Sequence, residues 1–144
     1  MKSKILVFIQ FLIIFLMCLS FFTTSTTFTF LGLSISLVGV FIGLTAIQHH
    51  QKGNFNIRPD IKENCILITH GIYKYIRHPM YLSVLTMMLG VLVLYPSWKQ
   101  LFLYILLIIT LLVKLRYEES LWVCHNQEYQ HYKKQTKQLI PFIF

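Results

Sequence analysis

Pro79-Met80-Tyr81-Leu82-Ser83-Val84-Leu85-Thr86-Met87-Met88-Leu89-Gly90-Val91-Leu92-Val93-Leu94-Tyr95, a break at Pro96-Ser97, and the run Trp98 to Val113 decide the fold of this chain. The two apolar stretches around one Pro-Ser break read as a tight helical hairpin. Pro79 suits the first helical position, where a missing N–H costs nothing and φ is already near the helical value, so a helix is expected to start beside His78. Ser97 is placed to cap the next one. That helix need not stop at a membrane surface, because Lys114 to Cys124 continues without Gly or Pro and carries Glu118 and Glu119 just past the hydrocarbon edge.

Upstream lie two more apolar runs. Ile5 to Phe22 carries only Gln10 and two small polar side chains, and at 1.5 Å per residue its length crosses roughly 27 Å of hydrocarbon. A cleaved signal peptide is the competing reading, given Lys2 and Lys4, but the apolar stretch is too long and no small-residue cleavage pattern follows. Phe28 to Ile47 follows a Thr-rich turn and contains Gly32, Gly39 and Gly43, small residues that permit close helix approach. The expected fold class is therefore all-α: a polytopic integral membrane protein of about four transmembrane helices, near residues 5–22, 28–47, 79–95 and 98–113. A long polar loop from Gln48 to His78 and a C-terminal interfacial segment complete a single domain over 1–144.

Composition agrees. Charged residues make up 12% of the chain where soluble proteins carry about 25%, and the mean hydropathy is +0.62, so too little polar surface exists to cover a water-soluble core. The net charge of +8 would suggest nucleic acid on a soluble protein. Here twelve of the thirteen basic residues fall on one side of the expected spans and only Lys99 on the other. The positive-inside rule makes the rich side cytosolic, with both termini and the long loop on it, and no nucleic-acid partner is called for; anionic membrane lipids are. Cys18, Cys65 and Cys124 are far apart and odd in number, so neither a disulfide framework nor a metal site is indicated. His49, His50, His125 and His131 form no compact ligand pattern and read as interfacial.

The end of the long loop concentrates the chemistry: Ile68-Thr69-His70-Gly71-Ile72-Tyr73-Lys74-Tyr75-Ile76-Arg77-His78-Pro79-Met80-Tyr81. Free N–H groups at a helix start, with Arg77 and His78 beside them, make an anion site, against a plainer reading of Tyr and Arg as interfacial anchors. Carboxylates at a helix C-terminus oppose its dipole, so Glu118 and Glu119 need another explanation, and a cationic ligand would supply one.

Four separated motifs in order now come into view: Gly71-x-Tyr73, Arg77-His78-Pro79-x-Tyr81, Glu118-Glu119, and Tyr129-x-x-Tyr132 closing on Ile140-Pro141-Phe142-Ile143. From about Asn54 to the C-terminus the chain resembles the isoprenylcysteine carboxyl methyltransferase family, whose C-terminal motifs are shared with phospholipid N-methyltransferases. The resemblance implies a membrane methyltransferase that uses S-adenosylmethionine, with its catalytic region over 54–144 and without the soluble Rossmann fold. It places Cys65, Ile66, Leu67 and Ile68 along one edge of the cofactor, Tyr73 beside it, and His78, Pro79, Met80 and Tyr81 around its amino-acid end. Glu118 completes that pocket, and Lys114, with Arg116 as the alternative, orients the substrate one helical turn earlier. Asn126 stands where relatives carry a helix-ending Gly, a substitution that the left-handed tolerance of Asn allows.

The expected reaction is methyl transfer to a lipophilic acceptor, foremost the carboxylate of an isoprenylcysteine-like or prenylated substrate. N-methylation of an amine-bearing phospholipid headgroup is the enzyme alternative, in which His70 would take a proton; a non-catalytic membrane scaffold is the other. The expected site faces the cytoplasm from a plasma or inner membrane. Four spans leave room for a homodimer.

Overall fold

The structure, a computed structural model, describes residues 2–19, 29–49, 67–125 and 127–140. Helix α1 is Lys2–Cys18, α2 is Thr29–Gln48, α3 is Pro79–Leu94, α4 is Trp98–His125 and α5 is Glu128–Gln135; a 3-10 turn, Gly71–Lys74, precedes α3. No strand occurs among the described residues, where the sole bridge-type pairing is Ile76 with Lys137. The expected turn Thr23 to Thr27, most of the long loop, Asn126 and the Pro141-Phe142-Ile143 closure lie outside the described residues.

Helix boundaries follow the local chemistry. Pro79 is the first residue of α3, as its missing N–H requires. Ser97 caps α4, its hydroxyl accepting from the Gln100 N–H at 3.2 Å while its carbonyl accepts from Leu101 at 2.9 Å. With 28 residues α4 is about 42 Å long, more than a hydrocarbon layer of about 30 Å, and its acidic residues lie near its C-terminal end. Of the four expected spans, α2 and α4 are long and apolar enough to cross a membrane. The other two are shorter than expected. At 17 and 16 residues, α1 and α3 reach only about 24–26 Å.

Packing is pairwise. α2 and α3 meet through small residues: a Cβ added at Gly39 would stand 2.6 Å from the Met87 nitrogen, so only glycine permits this approach. The gap is used by hydroxyls, with Ser83 Oγ donating to the Gly39 carbonyl at 2.7 Å and Ser36 Oγ to that of Met87 at 3.3 Å. α1 runs antiparallel to α4, held by Gln100 Nε2 donating to the Met17 carbonyl at 2.8 Å at one end and by Gln10 meeting Lys114 further along. Between the pairs sits a core of Ile13, Met17, Met88, Val91, Leu94, Leu103, Leu107 and Leu111. The outside is equally apolar. Phe8, Phe15, Phe30, Leu37, Phe41, Phe102 and Ile109 are all at least half exposed, a surface that suits lipid and would be untenable in water.

Because the helices alternate in direction, the start of α1, the end of α2, the start of α3 and the end of α4 gather at one end of the bundle. Met17, Gly32, Leu94 and Gln100 mark the other. Among the described residues the gathered end carries Lys74, Arg77, Lys114 and the lysines of the tail, while Lys99 lies opposite.

Candidate active site

The approach to α3 is shaped by Gly71, whose φ of +63° lies in the left-handed region that glycine enters without penalty. Its backbone rests against the His49 ring, where any Cβ would collide, so the turn is seated directly on the end of α2. His49 is fixed there by its Nδ1, 2.6 Å from the Thr45 carbonyl oxygen, and its ring centroid is 5.5 Å from that of His70. Ile68 and Tyr73 pack on Ala46, with Ile72 and Met80 against them.

Residues 75–78 then pair with the tail. The Arg77 and His78 N–H groups donate to the carbonyls of Lys137 and Gln138 at 2.8 and 3.0 Å, and the Lys137 N–H returns to Tyr75 at 3.1 Å. Held this way, Arg77 and His78 face the acidic end of α4. Arg77 Nε donates to Glu119 Oε1 at 2.7 Å, and its Nη1 donates to the carbonyls of Lys133, at 3.1 Å, and Thr136. Glu119 also meets His78 Nε2 at 3.3 Å, Lys133 Nζ at 3.0 Å and Gln138 Nε2 at 3.2 Å. That carboxylate is saturated.

Its neighbour is not. Glu118 accepts one hydrogen bond, from the Tyr81 hydroxyl at 2.6 Å, and lies 3.9 Å from His78 Nδ1. Both of those contacts use Oε2, and the side chain keeps 27% of its surface exposed. The His78 and Tyr81 rings stack in parallel with centroids 5.3 Å apart. Over the Tyr81 ring stands Lys114 as well, its Nζ 5.1 Å from the ring centroid and donating to Gln10 Oε1 at 2.8 Å. Behind this layer the Tyr132 hydroxyl donates to the Tyr73 carbonyl at 2.6 Å. Burial pushes the phenols of Tyr73, Tyr129 and Tyr132 well above their ordinary range, so each remains a protonated donor at neutral pH.

Among the residues singled out in the sequence, His78, Tyr81, Glu118 and Lys114 form one continuous cluster, with Pro79, Met80, Tyr73 and Ile68 at its edge. Leu67 is half-buried beside Ile68. Arg116 is exposed and makes no hydrogen bond or ion pair among the described residues, so of the two basic candidates it is Lys114 that the helix face turns into the cluster. Cys65 and Ile66 lie outside the described residues. In the tail, expected to lie along a surface, Tyr129, Tyr132 and Thr136 are buried against the protein and the Lys133 and Thr136 carbonyls accept from Arg77, while Glu128, Gln130, His131, Lys133 and Lys134 are exposed. Sequence reasoning also passed over Arg77–Glu119 as a pair and Gln10 as a contributor, although a lone amide in the first apolar run was a visible signal.

A carboxylate with an uncommitted oxygen, an imidazole and a helix start on one side, and an amine bedded on an aromatic ring on the other, can hold a zwitterion beside an anion. The chain belongs to the phospholipid methyltransferase family, whose model matches residues 8–126. Members of this family are methyltransferases. In fold the chain is similar to the eukaryotic intramembrane Ras methyltransferase, isoprenylcysteine carboxyl methyltransferase, with a TM-score of 0.68 and 22% identity over 99% of this chain and 53% of that one. It therefore spans about half the length of that enzyme. No curated protein matches the chain.

Proposed function

We propose that this protein transfers a methyl group from S-adenosylmethionine to a lipophilic acceptor at the membrane boundary, foremost the carboxylate of an isoprenylcysteine-like amphiphile. The observation that carries the reading is the division of labour between the two glutamates: Glu119 is consumed by Arg77, His78, Lys133 and Gln138, whereas Glu118 keeps an oxygen without a hydrogen-bond partner among the described residues. The methionyl end of the donor is a zwitterion next to a sulfonium, and this donor set fits it. Glu118 would take the ammonium, the Met80 N–H at the opening of α3, beside the His78 ring, would take the carboxylate, because the His78 and Tyr81 N–H groups are already bonded, and Leu67, Ile68, Tyr73, Pro79 and Tyr81 would supply the walls.

When bound, S-adenosylmethionine supplies an electrophilic methyl group: a lone pair of the acceptor oxygen forms the new O–C bond as the S–C bond breaks and its electrons return to sulfur. The chain's own groups align the acceptor and exclude water. A carboxylic acid has a pKa of about 4, so the acceptor arrives ionised and needs no base. Charge is annihilated along the path, so a site from which water is excluded, as it is around Lys114 at 2% exposure, favours it over the separated ions. Lys114, bedded on Tyr81, is the group that would draw the carboxylate in.

A second reading has its own support in the family match. An amine-bearing phospholipid headgroup would need a proton acceptor, and exposed His70 stands at the mouth of the turn for that duty. Incubating the purified protein in lipid discs with methyl-labelled donor and each acceptor separates the readings. A carboxyl methyl ester releases its label as methanol in base; a methylamine retains it. Base-stable label would replace the carboxylate with the headgroup amine, and the absence of donor binding would leave a non-catalytic scaffold.

A further inference from the structure

Gln10 belongs to none of the motifs that define the site, yet it reaches the cluster from the first helix. It is 6% exposed, on a helix otherwise apolar through this stretch, and its Oε1 accepts from Lys114 Nζ at 2.8 Å across 104 residues of sequence. We infer that Gln10 is a positioning residue that keeps the Lys114 amine charged and aimed over Tyr81, so that the acceptor side of the site selects an anionic headgroup. The inference rests on the proposed methyl transfer and deepens it by naming what sets the acceptor class.

Lys114 is 2% exposed. An ammonium removed from water to that degree is destabilised unless hydrogen-bonded acceptors and aromatic faces replace its hydration. Among the described residues it has one hydrogen-bond acceptor, Gln10, and one ring, Tyr81. The nearest acidic group on its own helix is Glu118, one turn on and engaged by the Tyr81 hydroxyl instead, so no carboxylate within ion-pair distance cancels the charge. An amide accepts a hydrogen bond without neutralising its donor. A carboxylate at position 10 would satisfy the amine equally well and abolish its attraction for an anion. Neutral Gln10 therefore gives hydrogen-bond satisfaction with the positive field left intact. Two of the three N–H donors of the ammonium remain for a ligand, and two donors suit a carboxylate.

The position of Gln10 also orders the site. Lys114 precedes Glu118 by one turn of α4 and is tied to α1 through Gln10, so the acceptor head would be met on the α1 side of the site while the donor is held at the α3 end. The acceptor head meets Lys114 and its lipid tail follows the exposed apolar surfaces of Phe11 and Phe15 on α1 and of Phe102 and Ile109 on α4.

The test uses the full chain in lipid discs, S-adenosylmethionine, and a prenylated thioether carboxylate as the acceptor probe. Two variants are compared, Gln10→Glu and Gln10→Leu. Gln10→Glu keeps the hydrogen bond and adds an ion pair, so a purely structural role makes it silent or stabilising. The positioning role instead raises the acceptor KM at least tenfold, with the donor Kd within twofold and the thermal midpoint maintained. Gln10→Leu is expected to raise the same KM and to lower the midpoint; if it fails to fold, Gln10→Glu alone decides. An unchanged acceptor KM in folded Gln10→Glu overturns the inference and leaves the methyl-transfer reading standing. Wild-type protein that binds the donor yet esterifies no carboxylate overturns both.

Discussion

Arg77 Nε and Glu119 Oε1 lie 2.7 Å apart in a site where their side chains are 5% and 4% exposed, and the pair fastens three parts of the chain at once. Arg77 lies two residues before α3, Glu119 is near the end of α4, and Nη1 of the guanidinium donates to the carbonyls of Lys133 and Thr136 in the tail. Such a pair gives little net stability over an apolar replacement, but removing one member leaves an uncompensated charge and empty donors. Its consequence here is geometric: with Glu119 committed to architecture, Glu118 is left for a ligand.

Arg77→Met is therefore expected to cost about 3–5 kcal/mol, the range for breaking a buried ion pair, and to loosen the tail. Thermal unfolding in lipid discs together with limited proteolysis after Thr136 reads both effects. Adding Glu119→Leu should recover part of the loss, because the stranded carboxylate disappears with its partner. A midpoint unmoved by Arg77→Met would show that the pair is not what holds the tail.

The α2–α3 seam tolerates no side chain at Gly39, whose added Cβ would press on backbone atoms of Met87 and the Ser83 carbonyl. Gly39→Ala should destabilise by about 1–3 kcal/mol, as overpacking does elsewhere. Ala at Gly43 meets only the Ser83 hydroxyl and its Cβ, a side chain that can turn away, and should cost less. Denaturation midpoints of the two variants in one detergent give the comparison, and an equal or reversed order would refute the packing assigned to this face.

Alkaline stability carries a sign that can be checked. Tyr73, Tyr129 and Tyr132 are held above their ordinary 10.0 chiefly by burial, so in the folded chain they keep their protons after the unfolded chain has lost them. Above about pH 10 the folded state then binds more protons than the unfolded one, and stability falls as pH rises further; below it this contribution is complete. Tyr132→Phe removes one ionisable group and the hydrogen bond to Tyr73, lowering stability at pH 8 by about 0.5–1.5 kcal/mol while flattening the alkaline decline. Parallel pH profiles for the two proteins would contradict the burial of this phenol.

Much of the bundle was legible because bilayers impose simple rules on sequence. Pro79 and Ser97 marked where α3 and α4 start, the absence of Gly and Pro beyond Val113 foretold the extension of α4, and Gly32, Gly39 and Gly43 announced a close helix contact. Charge counting gathered the polar ends on one side. Side-chain partnerships were less accessible, since they depend on helix rotation. Periodicity sets which residues share a face of α4, but which of Lys114 and Arg116 turns inward depends on where α1 docks, and that rests on Gln10 meeting Lys114. The amphipathic pattern of the tail shows that one face is covered, but holds no trace of Arg77, the distant residue whose guanidinium takes the Lys133 and Thr136 carbonyls. His49, grouped with interfacial histidines, proved to be the seat of the Gly71 turn for the same reason: a contact between segments is invisible within either one.

Equilibrium binding of S-adenosylmethionine to the purified protein in lipid discs, measured by calorimetry for wild type, Glu118→Gln, His78→Ala and Lys134→Gln, probes the convergence of α3 and α4 most directly. Saturable binding at one site per chain is expected, weakened at least tenfold by Glu118→Gln and by His78→Ala and unaltered by Lys134→Gln on the exposed face of α5. No binding by the wild type, or equal losses in all three variants, would contradict it.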